Sequence, residues 1–263
     1  MATSCVISLS DDRLKGREKT VVESKICRLL DKLGFMVNGL HLYPSSLDHF
    51  PLKNEIKNID VLVIIGGLGK IDFLKDLGKS IGLQVAKIDD AIEHIQSRIF
   101  EVTQDLRKAY SREELKKYEI YSFSLEGAYV LPNSKGILPG FFIKYDKKFI
   151  VFLPSDKESI DSILDEGLEY YLRSIAGVKY STTINMTVSC DNVEVFEEFI
   201  SDLNKLPVFV DYFGRKGKYN IVIKIFTREA SKIDDFIEEL KRIKEKFSDK
   251  LDVFAPSLKD FGG

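Results

Sequence analysis

The chain has 263 residues, of which 44% are apolar and 30% are charged. This length suits one large domain or two small ones, at about 100–200 residues per domain. Thirty-nine Lys and Arg against 41 Asp and Glu give a net charge of −2, which argues against a nucleic-acid-binding protein. No apolar run reaches the roughly 18–20 residues of a membrane helix, and the N-terminus lacks the regions of a signal peptide. We therefore expect a cytoplasmic protein that does not bind membranes.

The first half of the chain alternates strand-like and helix-like patterns. In chain order these patterns predict a strand at 4–9, a helix at about 22–33 ending at Gly34, a strand at 35–43, a helix at 47–58 capped by Ser45 or Ser46, a strand at 61–65 and a helix at 72–81. Five consecutive aliphatic residues at 61–65, four of them β-branched, are typical of a central parallel strand. The alternation predicts a doubly wound α/β domain whose ligand crevice lies beyond the carboxyl ends of its strands.

The patterns in the rest of the chain complete this domain and predict a second, smaller domain. We predict a helical region at 89–118, a hairpin of strands at 140–145 and 149–153, and a helix to about 172 capped by Ser155. The helical period is lost at 174–181, so we predict domains at 1–175 and 180–263. In the second domain we predict a strand at 182–189, a helix at 192–203, strands at 208–213 and 219–226 and a helix at 230–247. This order indicates a small α+β module.

The turn Gly66-Gly67-Leu68-Gly69 directly follows the central strand. Glycines there let the backbone approach a ligand closely, and free N–H groups next to a helix N-terminus favour a phosphate. The same glycines could equally form a tight turn that packs the helix on the strand. Spacing alone does not separate these two interpretations.

Three acidic residues lie near the same predicted edge of the sheet. Asp11 and Asp12 follow the first strand, and adjacent carboxylates can hold a hard cation such as Mg²⁺, although solvated loop acids are commoner. Asp72 could hold a metal ion or a sugar hydroxyl, or cap its helix, which is the commoner role.

Asp90 and His94 are spaced for chelation, but an acidic first turn beside an exposed histidine is the better interpretation.

Gly214-Arg215-Lys216-Gly217 has the Gly-x-x-Gly form of an RNA-binding KH loop. In a KH domain that loop joins two helices, whereas here it lies between two predicted strands. We therefore interpret it as a solvated hairpin tip.

Three distant cysteines, Cys5, Cys27 and Cys190, argue against a disulfide framework and against a Cys-x-x-Cys metal site.

Four ordered blocks resemble the molybdopterin-binding-like domain that opens CinA, the competence/damage-inducible protein A, and that is shared with MoaB/Mog-type proteins. They are Ile7-Ser8-Leu9-Ser10-Asp11-Asp12 with Gly16, Leu62 to Gly69, Glu126-Gly127-Ala128-Tyr129-Val130-Leu131-Pro132-Asn133 with Gly136, Pro139, Gly140 and Phe141, and Val151-Phe152-Leu153-Pro154 with Glu158. The resemblance covers residues 4–172. It implies a three-layer α/β/α sandwich, followed by a small module like the KH-type or ferredoxin-like domain of CinA. The family's last domain, a nicotinamide-nucleotide amidase, has no room in 263 residues.

The sequence departs from the family mainly at polar positions. Ser10 stands where the family has glycine, and the family's D-x-N near residues 20–22 is absent. The acidic loop after the glycine turn is shorter and keeps only Asp72, and Ile120-Tyr121 replaces a Lys/Arg-Gln pair. The residues that shape the backbone match better, a pattern that fits a retained fold with altered or lost chemistry.

The resemblance implies three hypotheses for function. The first is an ADP-ribose pyrophosphatase that uses Mg²⁺, Mn²⁺ or Co²⁺, with Asp11, Asp12 and Asp72 as catalytic acids and Asp11 and Asp72 as metal ligands. The second is a non-catalytic module that binds a nucleotide or pterin, with its phosphate at the glycine turn and polar contacts from Asn133 and Ser134, in the block with Gly136, Pro139 and Gly140. The third is a regulatory protein whose crevice is filled by Arg13, Lys70 and Phe73.

The resembled proteins assemble as homo-oligomers, and the sequence offers weaker reasons of its own. A small sheet covered by one helix layer leaves an open face or edge that needs cover. A net charge of −2 offers little repulsion between copies. We predict a homodimer with the small module at or near the interface.

Overall fold

The computed structural model describes residues 2–215 and 217–255. The chain divides into two compact units, Met1–Leu172 and Arg173–Gly263, which we call the N-terminal unit and the C-terminal unit. The segment in which the sequence placed its domain boundary, 174–181, begins directly after this division.

The N-terminal unit is built around a mainly parallel sheet. Its strands are β1 (Thr3–Leu9), β2 (Met36–Tyr43), β3 (Val61–Ile65), β4 (Val85–Lys87), β5 (Phe123–Leu125), β6 (Tyr129–Leu131), β7 (Gly140–Tyr145) and β8 (Lys148–Leu153). The main sheet has the order β2-β1-β3-β8-β7-β6, in which β2, β1, β3 and β8 are parallel and β7 is antiparallel to both of its neighbours. β4 and β5 form a separate antiparallel pair.

Helices cover both faces of this sheet. They are α1 (Asp11–Leu14), α2 (Val21–Lys32), α3 (Ile71–Ile81), α4 (Asp89–Thr103), α5 (Leu106–Ala109), α6 (Arg112–Tyr118), α7 (Lys157–Ile163) and α8 (Glu169–Ala176). Ile64 packs in one core cluster with Phe73 of α3, whereas Ser8 on the opposite face hydrogen-bonds to Glu23 of α2. Successive strand residues point to opposite faces, so α3 and α2 lie on opposite sides of the sheet. The predicted three-layer α/β/α fold is confirmed.

The helix predicted at 47–58 is wrong. This segment consists of turns, followed only by a short 3₁₀ helix at Ile56–Asn58. Pro51 lies in the middle of it, where a proline removes a helical hydrogen bond and its ring clashes with the preceding turn. The N–H of Phe50 instead donates to Asp76 Oδ2 at 2.8 Å, so the segment is held by α3.

Two further helical predictions need correction. The helical region 89–118 contains α4, α5 and α6, because Gln104 adopts a left-handed conformation (φ 53°) that ends α4. The cap of α7 is Asp156, not Ser155, since Asp156 Oδ1 accepts from the N–H of Ser159 at 2.8 Å. α7 then continues through a π-helical turn at Leu164–Leu168 into α8.

The C-terminal unit is a ferredoxin-like module. Its elements are β9 (Tyr180–Ser189), α9 (Val193–Lys205), β10 (Phe209–Arg215), β11 (Lys218–Thr227), α10 (Ser231–Lys246) and β12 (Asp252–Phe254). The antiparallel sheet has the order β10-β11-β9-β12, which is the arrangement of two interleaved βαβ units. The predicted α+β module is confirmed, and β12 is a strand that the sequence analysis missed.

The Gly-x-x-Gly segment lies at the β10–β11 hairpin. Gly214 and Arg215 end β10, and Arg215 pairs with Lys218 of β11. Lys216 lies outside the described residues. The segment joins two strands, so it does not have the helix–loop–helix setting of a KH loop.

In the described part of the chain, no helix is both long and apolar enough to cross a membrane.

The core of the C-terminal unit yields a first prediction. Phe199 of α9 is 1% exposed and packs edge-on against Phe247, with 5.4 Å between ring centroids. We expect Phe199→Ala to lower the free energy of unfolding by about 3–5 kcal/mol, through lost burial and the cavity left behind. Urea unfolding followed by circular dichroism measures this change. Phe213, which is 61% exposed, provides the matched control Phe213→Ala, and equal losses in both variants would contradict the packing described.

Candidate functional site

The carboxyl ends of β1, β3 and β8 meet at one point in the N-terminal unit. Ser8 pairs with Ile65, and Ile65 pairs with Leu153, so the three strands end in register. The N–H of Gly66 donates to the carbonyl of Leu153 at 3.0 Å. The glycine turn therefore begins between the ends of its two neighbouring strands, where a doubly wound sheet has its crevice.

The glycines of this turn satisfy requirements of the fold. Gly66 and Gly69 have φ angles of 78° and 74°, a region that side chains disfavour. A Cβ on Gly66 would lie 2.7 Å from the carbonyl oxygen of Leu9, and one on Gly69 would lie 2.9 Å from the Tyr121 ring. The tight-turn interpretation thus explains these glycines by itself, and a phosphate contact would be an additional role.

The start of α3 gives that additional role a physical basis. The N-cap position of α3 is Lys70, and the Lys70 side chain makes no capping hydrogen bond. Leu68 and Lys70 are both half-buried, and Lys70 Nζ lies 3.5 Å from Asp48 Oδ1. Free N–H groups, the helix dipole and a nearby ammonium group all favour an anion at this point.

The acids at the end of β1 interact with neighbouring groups of the chain. Asp11 and Asp12 both lie in α1, the first turn of which is capped by Ser10. Asp11 accepts a hydrogen bond from the hydroxyl of Ser45. Asp12 is exposed and lies 3.7 Å from Arg17 Nη1.

Asp72 is in the first turn of α3 and does not cap it, so the capping interpretation is wrong. Its side chain is 74% exposed and pairs with Lys75 Nζ at 3.0 Å. Over residues 2–215 and 217–255, no three His, Cys, Asp or Glu side chains form a group that could hold a metal ion. The three acids therefore do not fit a shared cation, and the divalent cation stays a prediction.

Asn133 builds the loop that contains it. Its side chain is fully buried and donates from Nδ2 to the carbonyl of Leu138 at 2.8 Å. Its Oδ1 accepts from the N–H groups of Lys135 and Gly136 at 3.0 and 2.9 Å. These bonds use most of the hydrogen-bonding capacity of the amide.

Gly136, Pro139 and Gly140, which follow Asn133 in this block, are also tightly packed against the rest of the unit. A Cβ on Gly136 would clash with Ser159 Oγ, and one on Gly140 would lie 3.0 Å from the carbonyl oxygen of Phe152. Pro139 is buried immediately before β7. These residues shape the loop and the start of β7.

Ser134 belongs to a polar cluster that links the loop to α4 and to the π-helical turn. Its N–H donates to Ser162 Oγ at 3.0 Å, and both hydroxyls donate to the carboxylate of Glu166. Arg98 donates to the carbonyl oxygens of Ser134 and Gly136 at 2.6 and 2.9 Å. The cluster fixes the loop, and it leaves Ser134 few unused hydrogen-bonding groups.

His94 lies beside this cluster and is not the exposed residue that the sequence predicted. Its Nε2 is buried without a hydrogen-bond partner in the described part of the chain. Burial, aided by the charge of Arg98 and opposed by Glu166, lowers the pKa of His94 to about 4. His94 is therefore neutral at pH 7.

The sequence analysis missed a buried ionic network at the same edge of the sheet. Glu23 of α2 is fully buried and accepts from the Ser8 hydroxyl at 2.7 Å. Arg13 Nη1 lies 2.8 Å from Glu23 Oε1, and Arg13 Nη2 donates to the carbonyl of Ser155 at 2.8 Å. Glu23 shares the helical stripe of Ile26 and Leu30, a spacing that could have indicated its burial.

This network bears on the prediction that side chains fill the crevice. Arg13 is 7% exposed and joins residues that follow the ends of β1 and β8, as that prediction requires. Phe73 instead belongs to the core, where its ring packs edge-on against Phe50 with 5.9 Å between centroids. Lys70 is half-buried at the start of α3.

Proteins with similar sequences include competence-damage inducible and CinA-like proteins. The chain is 23% identical to a putative competence-damage inducible protein of Natranaerobius thermophilus, over 95% of this chain and 60% of the relative. It is 21% identical to a CinA-like protein of Thermosipho melanesiensis, with the same two coverages. The chain is a homologue of CinA-like proteins. It spans about 60% of the length of these curated relatives.

An archaeal relative matches almost end to end. A protein of Pyrobaculum aerophilum is 24% identical to the chain, over 94% of the chain and 91% of the relative. The structure of CinA from Thermoplasma acidophilum matches with a TM-score of 0.53 and 20% identity, over 65% of this chain and 98% of that one. This likeness to CinA concerns the fold. No protein-family model matches the chain.

The ionic network yields a second prediction. We expect Glu23→Ala to lower the free energy of unfolding by about 3–5 kcal/mol, because it leaves the Arg13 guanidinium buried without its partner. The double variant Arg13→Met/Glu23→Leu should recover most of this loss, since apolar groups of similar volume often replace a buried ion pair. Urea unfolding measures both. Glu18→Ala, which removes a partner of Arg13 that is 57% exposed, should cost less than about 1 kcal/mol. Similar losses for Glu23→Ala and Glu18→Ala would contradict the role of burial.

His94 yields a third prediction, for the pH dependence of stability. Its pKa is about 4 in the folded state against an ordinary value of 6.5, so the unfolded chain takes up the proton first as the pH falls. Protonation of His94 should therefore destabilise the fold progressively from about pH 6.5 down to about pH 4. Thermal unfolding of wild type and His94→Gln at several pH values tests this. The variant should show a flatter profile in this window, whereas the exposed control His49→Gln should retain the wild-type slope.

Proposed function

We propose that the chain binds a small phosphorylated ligand, a nucleotide or a pterin, at the carboxyl ends of β1, β3 and β8. The observation that carries this proposal is the start of α3, which follows the Gly66–Gly69 turn and has no side-chain cap. A helix N-terminus in this state presents N–H donors and a positive dipole end to an anion. The ligand's phosphate would occupy the position that a capping side chain occupies elsewhere.

Two neighbouring side chains support this assignment. Lys70 lies at the N-cap position, and its ammonium group is 3.5 Å from the carboxylate of Asp48. Tyr121 lies against Gly69 and is half-buried, so its ring adjoins the same turn. An ammonium group near the phosphate and an aromatic ring beside it suit a ligand that carries a flat heterocycle.

Hydrolysis of ADP-ribose-type diphosphates is the more specific activity that the family resemblance implies, and it is not our proposal. It would need Asp11, Asp12 and Asp72 to share a divalent cation. These side chains face Ser45, Arg17 and Lys75 respectively. Binding without hydrolysis requires none of these acids, so we favour it and derive no catalytic step.

The homodimer with the small module at its interface is a separate proposal. Light scattering at micromolar concentration should give twice the 30.0 kDa mass of the chain. A mass near 30.0 kDa would overturn this proposal and leave the ligand proposal intact.

A fourth prediction tests the phosphate site. ADP-ribose, AMP and a phosphorylated pterin are added separately to the metal-free protein, and Tm and calorimetric affinity are measured. A ligand that binds the folded state raises its stability in proportion to RT ln(1 + [L]/Kd). Lys70→Gln should weaken binding about tenfold, which corresponds to ~1.4 kcal/mol. Lys79→Gln, in the last turn of the same helix, makes the same charge change and should bind like wild type.

Asp72→Asn separates binding from metal-dependent hydrolysis. Asp72 lies in the first turn of α3, so its negative charge opposes a bound phosphate, and its removal should tighten metal-free binding. If Asp72 holds a catalytic cation, the same variant should instead weaken binding with Mg²⁺, Mn²⁺ or Co²⁺ present. Release of AMP from ADP-ribose by wild type but not by Asp11→Asn would establish hydrolysis. The absence of a Tm shift with all three ligands would overturn the proposed function.

A further inference from the structure

A cavity in the N-terminal unit lies in the β4–α6 region. Its volume is about 400 Å³, within the roughly 300–1,000 Å³ range of small-molecule sites. Its lining combines Lys87 of β4 and apolar residues of α4 with tyrosines and charged residues from the segment that contains α6. We propose that this cavity binds a small aromatic anion, a ring that carries a phosphate, sulfonate or carboxylate group.

The inner wall of the cavity is apolar. Ile95 is 2% exposed and belongs to a small core cluster, against which Leu115 and Tyr118 pack. Ile92, one helical turn before Ile95, is half-buried. Tyr118 and Tyr110, the latter 68% exposed, also line the space. Aliphatic side chains together with two aromatic rings favour an aromatic group, because ring pairs contribute about 0.5–1.5 kcal/mol beyond their area burial.

The charged residues of the cavity are mostly cationic. Lys87 Nζ pairs with Glu119 Oε1 at 2.7 Å, which neutralises one positive charge. Lys116 and Arg112 also act on this carboxylate, and together with Lys87 they lower the pKa of Glu119, mainly through the Lys87 hydrogen bond. In the described part of the chain, neither Arg112 nor Lys116 has an ion-pair or side-chain hydrogen-bond partner. Two positive charges are therefore left to meet an anionic group.

This combination selects one ligand class. An uncharged apolar molecule would leave Arg112 and Lys116 without an anionic partner. A simple inorganic anion would leave the apolar wall exposed to water. A metal ion would be repelled by three cations. A ring with one anionic group satisfies both parts of the lining, with the ring against Ile92, Ile95 and the tyrosines and the anion toward Arg112 and Lys116.

The proposal does not depend on the phosphate site at the start of α3. The lining contains no residue of the Gly66–Gly69 turn. The short 3₁₀ helix Glu119–Ser122 lies between the two regions, since its ends line the cavity while Tyr121 contacts Gly69. The two sites therefore use different residues and can be tested separately.

The test uses 1-naphthyl phosphate as the probe, with the full chain and isothermal titration calorimetry. We expect one molecule to bind per chain, at least about tenfold more tightly than inorganic phosphate or 1-naphthol, a difference of ~1.4 kcal/mol. Arg112→Gln/Lys116→Gln should weaken binding about tenfold or more. Arg107→Gln/Lys108→Gln is the matched control, because it removes two exposed charges from the neighbouring α5 outside the cavity and should bind like wild type.

A second variant tests the apolar wall. Ile92→Trp should fill the cavity and abolish probe binding, while ADP-ribose binding at the α3 site stays unchanged. If Ile92→Trp fails to fold, as judged by circular dichroism, the exposed pair Arg112→Gln/Lys116→Gln still decides the matter.

Three results would overturn the proposal. They are no probe binding by wild type, equal weakening by the two charge-removing double variants, and loss of probe binding in Lys70→Gln but not in Arg112→Gln/Lys116→Gln. The last result would place the probe at the start of α3. It would remove this inference and leave the proposed function standing.

Discussion

The meeting of three parallel strand ends is the constraint on which the N-terminal unit depends. Gly66 donates its N–H to Leu153 of β8, and its Cα lies so near the carbonyl of Leu9 that a Cβ would stand 2.7 Å from that oxygen. A positive φ at Gly66 turns the chain sharply away from the sheet. The turn then delivers α3 to one face with its N-terminus at the strand ends. The position of the proposed anion site therefore follows from how the backbone must leave a crowded central strand.

The same crowded edge explains why an ion pair is buried there. Glu23 and Arg13 lose their hydration when α1 and α2 close over the end of β1, a cost that their mutual contact and the bonds to Ser8 and Ser155 offset. An apolar pair could stabilise the site equally well. The polar pair adds direction, because the Arg13 charge is compensated and its Nη2 is hydrogen-bonded only where Glu23 and the Ser155 carbonyl are both in reach. It thus fixes the position of α1 relative to β8.

Local patterns in the sequence predict the fold well wherever local chemistry decides it. The aliphatic run of β3, the glycine after α2 and the hairpin between β7 and β8 were recognisable for this reason. Sequence reasoning failed at 47–58, where a contact from Asp76 replaces helical hydrogen bonds, and in three-residue strands such as β12, which depend on a distant partner. It identified the glycine turn but missed Glu23, because the position of Glu23 on an apolar stripe indicates burial without showing that Arg13 is its partner.

The site also shows how the residues of a motif can match a family while neighbouring polar side chains differ. Asn133 and Gly136 belong to the block that best resembles CinA, yet their polar groups and close contacts serve the loop itself. Such residues must stay for the backbone to keep its path, whatever the ligand. In the proposed site, the choice of ligand would rest on side chains that the backbone does not need, such as Lys70 and Tyr121 beside the turn. Those positions lie where this sequence departs from the family, so the matches fall on residues that shape the backbone and the departures fall on residues that the backbone does not need.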